Sequence, residues 1–425
     1  MRRFDVLIVG AGHAGAQTAI ALRKLGFAGS IGLVGDEPEE PYERPPLSKG
    51  FLRSGHAADG GRLRPSAFWS EQRIELLLGQ RVVEVAPSDR LVVLAGEDRI
   101  GFKNLVWATG GDPRRLPCVP ADTPCIHYLR NRADAAALAE ALAGSADVVI
   151  VGGGYVGLEV AAAIGTNGRR VVVLEAADRL LARVAGPEVS AFYEQEHRAR
   201  GVDVRTGAQV VGADVVGGSL ASLRLADGTT VPADLVIVGI GVEAAVAPLL
   251  AAGAAAACGG LLVDAACRTT LAGIYAVGDC AAFGSVHAGG EVVRLESVQN
   301  ANDQAAVAAA TICGMERVHD ALPWFWSDQY DLKLQSVGLA RGFDATVLRG
   351  NLVARSFSVA YLREGRIVAL DCVNAMRDYV QGRALIASGA IVDPVRLADV
   401  SVPLKSLVAR GGSDGPSTIA GCPIR

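Results

Sequence analysis

One short pattern occurs twice in this chain, and it constrains the fold more than any other feature. In each copy an apolar run leads directly into three glycines spaced as G-x-G-x-x-G, then into a helix-like segment and a second apolar run. The first copy begins at Phe4 and the second at Asp147. A strand, a glycine turn, a helix and a second strand in this order are typical of the dinucleotide-binding unit of doubly wound α/β proteins. The sequence therefore predicts an α/β fold with two Rossmann-like domains.

The first copy predicts a nucleotide site near the N-terminus. Its glycines are Gly10, Gly12 and Gly15, and its predicted elements are a strand over 4–9, a helix over 16–25 and a strand over 31–34. In such a unit the first glycine permits a tight turn, the second lets the backbone approach a pyrophosphate, and the third allows close helix–strand packing. An acid after the second strand binds ribose hydroxyls. Its usual position is taken by Gly35, so Asp36 is the candidate.

The second copy fits the same pattern without that offset. Its glycines are Gly152, Gly154 and Gly157, and its predicted elements are strands over 147–151 and 170–174 and a helix over 158–165. Glu175 follows the second strand, where a carboxylate binds the 2′-hydroxyl of NADH and repels the 2′-phosphate of NADPH. Arg179 and Arg183 lie nearby and could soften that repulsion. Two such sites indicate a tightly held flavin and an exchanging nicotinamide, since hydride transfer needs both; a duplicated fold with one inactive site is the alternative.

Three further apolar runs end in glycines or an acid. They cover 105–111, 235–241 and 273–280, and they place Gly241 and Asp279 at the carboxyl ends of predicted strands. Ligands of open α/β sheets bind at these ends. Each run alone would be only a strand and a turn, but their order along the chain fits an enzyme with two dinucleotide sites.

Composition and charge exclude several other classes of protein. The chain has 41 basic and 45 acidic residues, a net charge of −4, which gives no electrostatic case for nucleic-acid binding. Residues 244–263 carry no charge, but Pro248 and Gly253 favour a helix, a turn and a short buried strand over a membrane span. The eight cysteines contain no C-x-x-C spacing, so no metal site is predicted. These observations predict a soluble cytoplasmic protein with free thiols.

Six segments of the chain resemble one known family. They are 45–49 (PPLSK), 152–163 (GGGYVGLEVAAA), 190–194 (SAFYE), 201–207 (GVDVRTG), 276–280 (AVGDC) and 323–330 (PWFWSDQY). Over nearly its whole length the chain resembles the FAD-dependent, NADH-using ferredoxin reductases, which have a glutathione-reductase-type fold. We call the two copies of the glycine pattern the first and the second fingerprint. The resemblance implies that the first fingerprint binds FAD and the second binds NADH, with a C-terminal α+β domain after them.

The resemblance also implies particular site residues. Those that it places at FAD are Ala14, Asp36, Lys49, Val82, Arg130, Asp279 and Val298. It places Glu159 near the nicotinamide and Lys49 near the flavin, where both would act by electrostatics and orientation. Each has an alternative: Lys49 as a solvated surface lysine, Glu159 as an ordinary helix carboxylate and Arg130 as a surface cation. Val82 and Val298 could be plain core residues.

An aromatic cluster in the last of these segments is a further candidate. It consists of Trp324, Phe325, Trp326 and Tyr330. We expect these side chains, and Trp326 in particular, to cover the flavin on the side from which the acceptor approaches. The alternative is an aromatic core packed at a domain junction.

The predicted domain organisation follows from the same family resemblance. The FAD-binding domain would comprise 1–110 and 243–323, the NADH-binding domain 111–242, and the C-terminal domain 324–425. In the last domain, alternation predicts strands over 332–338, 353–362 and 367–373, followed by a helix over 376–387. The Gly-, Ser- and Pro-rich tail 411–425 is predicted to be disordered.

The position of the cysteines indicates where electrons go. Disulfide reductases and cysteine-dependent peroxidases of this fold place a redox cysteine after the first Rossmann unit, but no cysteine here precedes Cys118. Reduced FAD would therefore deliver single electrons to an external carrier, a 2Fe–2S ferredoxin that supplies a haem monooxygenase or a Rieske oxygenase. The alternatives are a rubredoxin or monodehydroascorbate reductase, or a redox-sensing flavoprotein like apoptosis-inducing factor.

The charge distribution gives weak support for an acidic partner. Residues 324–425 contain 12 basic and 9 acidic residues, a net charge of +3, which leaves −7 for the rest of the chain. A slightly basic domain could steer an acidic ferredoxin; the alternative is that these three charges are ordinary solvated surface.

Overall fold

The structure, a computed structural model, describes residues 1–54, 61–120, 123–166 and 168–407. The predicted tail 411–425 lies outside the described residues. The chain divides into two compact units, Met1–Gln335 and Ser336–Arg425. Within the described ranges, no helix is both long enough and apolar enough to cross a membrane.

Strands and helices alternate through much of the chain. The strands in the described residues are β1 (Arg2–Val9), β2 (Ile31–Val34), β3 (Ile74–Leu77), β4 (Val82–Ala86), β5 (Leu91–Leu94), β6 (Arg99–Trp107), β7 (Gly111–Pro113), β8 (Ile126–Tyr128), β9 (Asp147–Val151), β10 (Arg170–Leu174), β11 (Asp203–Arg205), β12 (Val210–Val216), β13 (Ser219–Leu225), β14 (Thr230–Pro232), β15 (Leu235–Val238), β16 (Val242–Ala244), β17 (Ala256–Ala257), β18 (Gly260–Val263), β19 (Ile274–Ala276), β20 (Ala281–Gly284), β21 (Val292–Arg294), β22 (Trp324–Gln329), β23 (Leu332–Gly338), β24 (Ala345–Asn351), β25 (Ser356–Arg363) and β26 (Arg366–Val373). The α-helices are α1 (His13–Lys24), α2 (Gly50–Ser54), α3 (Ser66–Glu71), α4 (Arg132–Gly144), α5 (Tyr155–Ile164), α6 (Pro187–Ala199), α7 (Ala247–Ala251), α8 (Val298–Ile312), α9 (Met376–Ala387) and α10 (Pro394–Ala398). Short 3-10 helices include Pro45–Ser48 and Gly278–Cys280.

The strand before the first fingerprint lies between two parallel neighbours in a mixed sheet. The order of this sheet is β3-β2-β1-β6-β5-β4, and β19 also pairs with β6. β1 runs parallel to β2 and β6, whereas β5 pairs antiparallel with β4 and β6. The side chains of Val6 and Ile8 are fully buried and share a core with apolar residues of α1 and α8. A parallel strand is apolar throughout when helices cover the sheet, which explains the unbroken apolar run.

The second fingerprint repeats this arrangement. Its sheet has the order β11-β10-β9-β15-β8, and every neighbouring pair is parallel. An antiparallel sheet, β12-β13-β14, contributes Leu220 and Leu223 to the apolar core that contains Val149 of β9. The first sheet is built from β1 to β6 and from β19, which comes much later in the chain, whereas the strands of the second sheet all lie between these, from β8 to β15. This agrees with the predicted split of the first unit, although the predicted domain bounds stay a prediction.

Several element predictions are confirmed, and the fingerprint helices need a correction. The strands over 31–34, 147–151 and 170–174 have the predicted bounds, and the uncharged stretch 244–263 contains α7 and β18. However, α1 begins at His13 and α5 at Tyr155, three residues earlier than predicted. The third glycine of each fingerprint lies inside the first helical turn. Its low helix propensity made the sequence pattern begin too late.

The second unit contains the antiparallel strands β24, β25 and β26. The helix over 376–387 is confirmed, but the strand predicted over 353–362 is wrong at its start. The side chain of Asn351 accepts hydrogen bonds from the backbone N–H groups of Val353 (2.8 Å) and Ala354 (3.1 Å), and Arg355 has a φ of 56°. This side-chain-stabilised turn ends β24, so β25 begins only at Ser356.

The same unit buries one carboxyl group. Asp371 of β26 is 3% exposed, and the Tyr361 hydroxyl donates a hydrogen bond to its Oδ2 at 2.6 Å. Burial raises the pKa of Asp371 to about 6, although the hydrogen bond from Tyr361 acts in the opposite direction.

Candidate active site

The two glycine turns have nearly the same geometry. Gly10 has a φ of 110° and Gly152 a φ of 111°. A Cβ atom on Gly10 would lie 2.2 Å from the carbonyl oxygen of Ala108, and one on Gly152 would lie 2.4 Å from that of Gly239. The sharp turn and the neighbouring strand end therefore both require glycine at these positions.

The other two glycines of each turn serve packing and access. A Cβ atom on Gly15 or Gly157 would lie within 2.0 Å of the carbonyl oxygen of the first glycine in its turn, so the helix could not approach its strand. At Gly12 a Cβ atom would meet only the Arg44 side chain, at 3.8 Å, and at Gly154 nothing within 4 Å. Both α1 and α5 begin without a side-chain cap. The backbone N–H groups of the first turn at these helix ends fit the pyrophosphate of a dinucleotide.

Two arginines converge on the N-terminus of α1. Arg44 lies beside Gly12, and its Nη1 donates to the Arg130 carbonyl oxygen at 2.9 Å. Arg130 forms an ion pair with Asp279 at 3.8 Å. Burial, followed by the charges of Arg44 and Arg130, lowers the pKa of His13 to about 4. The open end of α1 is thus electropositive, which again fits a phosphate group.

Asp279 reaches this site because its turn lies against α1. A Cβ atom on Gly278 would stand 3.0 Å from that of Ala14. Burial raises the pKa of Asp279, and the nearby Arg130 charge opposes that rise. Val82 at the start of β4 is buried, and Val298 at the start of α8 is half-buried.

The offset acid of the first unit lies at the surface. The Asp36 side chain is 57% exposed, and its nearest ionic partner is Arg81 at 4.0 Å. The next residue, Glu37, is instead tied inward, because it accepts hydrogen bonds from Arg44 and from the Tyr42 hydroxyl. A role of Asp36 at a ribose stays a prediction.

Beside the second fingerprint, Glu175 is fixed by backbone groups. Its Oε2 accepts from the N–H of Gly153 at 2.6 Å and its Oε1 from the N–H of Ala177 at 2.8 Å. A carboxylate oxygen has a second acceptor site, so each remains able to accept from a ribose hydroxyl. Of the two nearby arginines, Arg179 binds carbonyls of its own loop, whereas Arg183 approaches Gly241.

A buried ion pair joins the two predicted catalytic residues. Lys49 Nζ lies 2.8 Å from Glu159 Oε2, and the two side chains are 20% and 6% exposed. Ser48 Oγ donates to the same carboxylate oxygen at 2.6 Å, and Ser327 Oγ donates to Oε1 at 2.7 Å. Glu159 is therefore a fully partnered, charged group beside the second fingerprint, and neither residue is merely solvated surface.

The aromatic cluster is only partly buried. Phe325 of β22 stacks on Tyr155, the first residue of α5, with ring centroids 4.5 Å apart. Trp324 and Trp326 are half-buried, with their centroids 5.5 Å apart. The cluster thus borders the second fingerprint helix instead of filling a closed core. Whether Trp326 covers a flavin stays a prediction.

Sequence patterns missed four residues of these sites. The long-range contacts of Arg44, Glu37, Ser48 and Ser327 leave no signal in a local pattern. The only available signal was position, since Ser48 and Ser327 lie inside the segments 45–49 and 323–330 and Arg44 directly precedes the first of them.

Comparison with known proteins agrees with this geometry. The family model of the pyridine nucleotide-disulphide oxidoreductases matches residues 4–305, and the model "Reductase C-terminal" matches residues 324–408. The chain belongs to the pyridine nucleotide-disulphide oxidoreductases. The predicted α/β fold class and oxidoreductase activity are therefore confirmed. FAD and NAD(P)H are the cofactors that this family and its ferredoxin reductases use.

Individual relatives place this pyridine nucleotide-disulphide oxidoreductase among the ferredoxin reductases. A ferredoxin–NAD(P)(+) reductase from Sphingomonas sp. is 51% identical over 95% of this chain and 98% of its own length. The ferredoxin reductase subunit of 5,5′-dehydrodivanillate O-demethylase from Sphingobium sp. is 52% identical over 97% and 100%. The structure of a covalent putidaredoxin reductase–putidaredoxin complex matches with a TM-score of 0.91 and 40% identity, over 96% of this chain and 98% of that one. The predicted family resemblance is confirmed.

Proposed function

We propose that the chain transfers electrons from NADH to a 2Fe–2S ferredoxin that supplies an oxygenase. The observation that carries this proposal is the buried Lys49–Glu159 pair (2.8 Å). Lys49 lies in the segment after the first Rossmann unit, where the family resemblance places the redox cysteine of thiol-using members of the fold. The Sphingobium relative is itself a subunit of a demethylase system, and putidaredoxin reductase has been captured with its electron carrier. Both relatives support a protein carrier as the acceptor.

The residues of the first fingerprint would hold FAD. Gly12 leaves room for the pyrophosphate at the N-terminus of α1, and Arg44 and Arg130 supply the compensating positive charge. Ala14 and Asp279 lie at the same helix end, as the family resemblance implies. When bound, FAD accepts a hydride equivalent and releases electrons singly, which lets a two-electron donor serve a one-electron carrier.

The second fingerprint would bind NADH in preference to NADPH. The carboxylate of Glu175 is held in place by two backbone N–H groups, so it cannot turn away from a 2′-phosphate. Gly154 leaves the N-terminus of α5 open for the pyrophosphate, and Gly241 lies at the end of the neighbouring strand. Glu159 fixes the position of the Lys49 ammonium group, which would contribute positive charge near a bound flavin.

The cysteines support an acceptor outside the chain. The seven cysteines in the described residues are free thiols. Cys280 follows Asp279 directly, but burial raises its pKa to about 11, and its Sγ donates to backbone carbonyls. A buried, protonated thiol is a poor nucleophile at neutral pH. Cys280 is therefore unsuited to accept electrons from the flavin in the manner of a disulfide reductase.

The test is a reconstituted electron-transfer assay. Purified protein should show a flavin spectrum that NADH bleaches under anaerobic conditions faster than NADPH does. NADH-driven reduction of cytochrome c should then rise severalfold on addition of at least one member of a panel of 2Fe–2S ferredoxins. No acceleration by any ferredoxin, with fast transfer to a rubredoxin instead, would favour the second candidate acceptor. A long-lived reduced complex with slow transfer to every carrier would favour a redox sensor.

The proposed domain assignment and compartment complete this account. FAD would bind to residues 1–110 and 243–323 and NADH to 111–242. Residues 324–425, with a net charge of +3, would help to attract an acidic ferredoxin. A cytoplasmic location suits unpaired thiols, which persist in a reducing compartment.

A further inference from the structure

A line of hydrogen bonds leads from the Glu159 carboxylate to the surface of the first unit. Ser327 Oγ contacts Glu159 Oε1 at 2.7 Å, and Gln329 Nε2 contacts Ser327 Oγ at 3.3 Å. Gln329 Oε1 lies 2.9 Å from His197 Nε2, and His197 Nδ1 lies 3.0 Å from the Tyr330 hydroxyl. Ser327, Gln329 and His197 are each 0% exposed, so water does not interrupt the line.

The chemistry of the groups gives this line one direction. Glu159 faces the Lys49 ammonium group, so it is an ionised carboxylate that can only accept. Ser327 must therefore donate to it and accept from the Gln329 amide. The Gln329 carbonyl then faces His197, which must donate from Nε2. This leaves Nδ1 as the acceptor of the Tyr330 hydroxyl proton.

We propose that His197 is a positioning residue that, as the neutral Nε2–H tautomer, holds Glu159 against Lys49 through Gln329 and Ser327. Every donor in the line points towards Glu159, so the line stabilises its charge and fixes the carboxylate plane. His197 is suited to the neutral form, because burial lowers its pKa; the hydrogen bond to Gln329 opposes that shift, and the charge of Arg200 adds to it. The Arg200 guanidinium lies 4.3 Å from the centroid of the Tyr330 ring, at the outer end of the line.

The line connects a helix and a strand. His197 belongs to α6, and Ser327 and Gln329 belong to β22. Gln329 and His197 are distant in sequence, yet their buried side chains form a hydrogen bond with each other. Leaving such groups unpaired in a core would be costly, so their mutual arrangement is specific. The proposed effect on hydride transfer rests on the proposed function, whereas the direction of the line does not.

The first experiment reads the tautomer of His197 directly. Long-range ¹H–¹⁵N correlation spectra of the ¹⁵N-histidine-labelled holoprotein should show an Nε2–H tautomer for one histidine, assigned by its loss in His197→Gln. In Glu159→Gln the amide oxygen should face Lys49 and Ser48, which are donors, and the amide nitrogen should face Ser327. The Ser327 hydroxyl, which has two acceptor sites, would then accept from both amides, and the line would no longer end on a charge. A cationic or Nδ1–H form of His197 in the wild type would overturn the proposal.

The second experiment measures coupling between His197 and Glu159. His197→Phe should slow flavin reduction by saturating NADH about tenfold with little change in the NADH dissociation constant, the upper end of the loss expected for one hydrogen bond between neutral groups. His197→Gln keeps an N–H near the Nε2 position and should recover most of that rate.

In the Glu159→Gln background, His197→Phe should have no further effect. Full tenfold slowing in that background would mean that His197 acts only through general packing, and the proposal would fail. Loss of ferredoxin-dependent activity alone would bear on the proposed acceptor and would leave the tautomer result intact.

Discussion

Replacing single glycines of the second fingerprint should separate folding from nucleotide binding. In Gly152→Ala the new Cβ would stand 2.4 Å from the Gly239 oxygen, whereas ordinary contact begins at 3.4 Å, so the strand end must move by about 1 Å. The φ of 111° strains alanine by about 1 kcal/mol, and overpacking adds about 1–3 kcal/mol. We expect Gly152→Ala to lower the free energy of unfolding by about 2–4 kcal/mol.

Gly154→Ala is the matched control, two residues away. Its φ of −82° suits alanine, and its Cβ would meet nothing within 4 Å, so stability should change by less than about 0.5 kcal/mol. The methyl group would instead occupy the approach to the N-terminus of α5. We expect NADH affinity to fall about ten- to a hundredfold, as for the loss of one charge-assisted hydrogen bond.

Two measurements check this pair of variants. Urea unfolding followed by far-UV circular dichroism reports stability, and titration of the oxidised protein with NAD(+) or the kinetic KM for NADH reports binding. The reasoning is refuted if Gly154→Ala binds the nucleotide like the wild type, because that glycine would then have no part in access. It is also refuted if Gly152→Ala is as stable as Gly154→Ala.

Four more predictions follow from the buried charges and thiols. Lys49→Met should slow NADH-dependent flavin reduction at least about tenfold in stopped-flow experiments, because it leaves Glu159 buried without its cation, and Lys49→Arg should retain more of the rate. Glu175→Ala should lower the ratio of kcat/KM for NADH over NADPH by about tenfold, and an unchanged ratio would contradict the role of this carboxylate. The pKa of Asp371 is raised to about 6, so the folded state binds more protons than the unfolded state between pH 4 and 6, and stability declines as pH rises through that range. Asp371→Asn should therefore raise the free energy of unfolding by roughly 3 kcal/mol at pH 7 and leave it unchanged below pH 4. Urea titrations at the two pH values measure this difference. Cys280 should resist iodoacetamide in the native protein at pH 8, as read by mass spectrometry, and Cys280→Ser should keep its ferredoxin-dependent activity.

Local patterns predicted the fingerprints well, because their causes are local. Gly10 and Gly152 are required by a backbone turn that a short motif encodes, and the buried strands beside them appear as unbroken apolar runs. The strand predicted from Val353 failed for an equally local reason, since the Asn351 side chain stabilises a turn that apolar alternation does not reveal.

The partners of the predicted catalytic residues were beyond such patterns. Glu159 and Lys49 were named only through a family resemblance, and nothing in their spacing indicates that they meet. Ser327 approaches Glu159 across 168 positions of sequence. A contact of this kind depends on how sheets and helices pack, and that information is not contained in a window of neighbouring residues.

That long separation also has a consequence for biosynthesis. A ribosome adds about 5–20 residues per second, so Glu159 precedes Ser327 by roughly 10–30 s. During this interval the nascent chain can close its second parallel sheet as far as β15, but the carboxylate still lacks one of its hydroxyl donors. The reaction centre is therefore completed near the end of translation, when β22 docks on α5, and premature termination before that strand should yield nucleotide-binding folds without a finished centre.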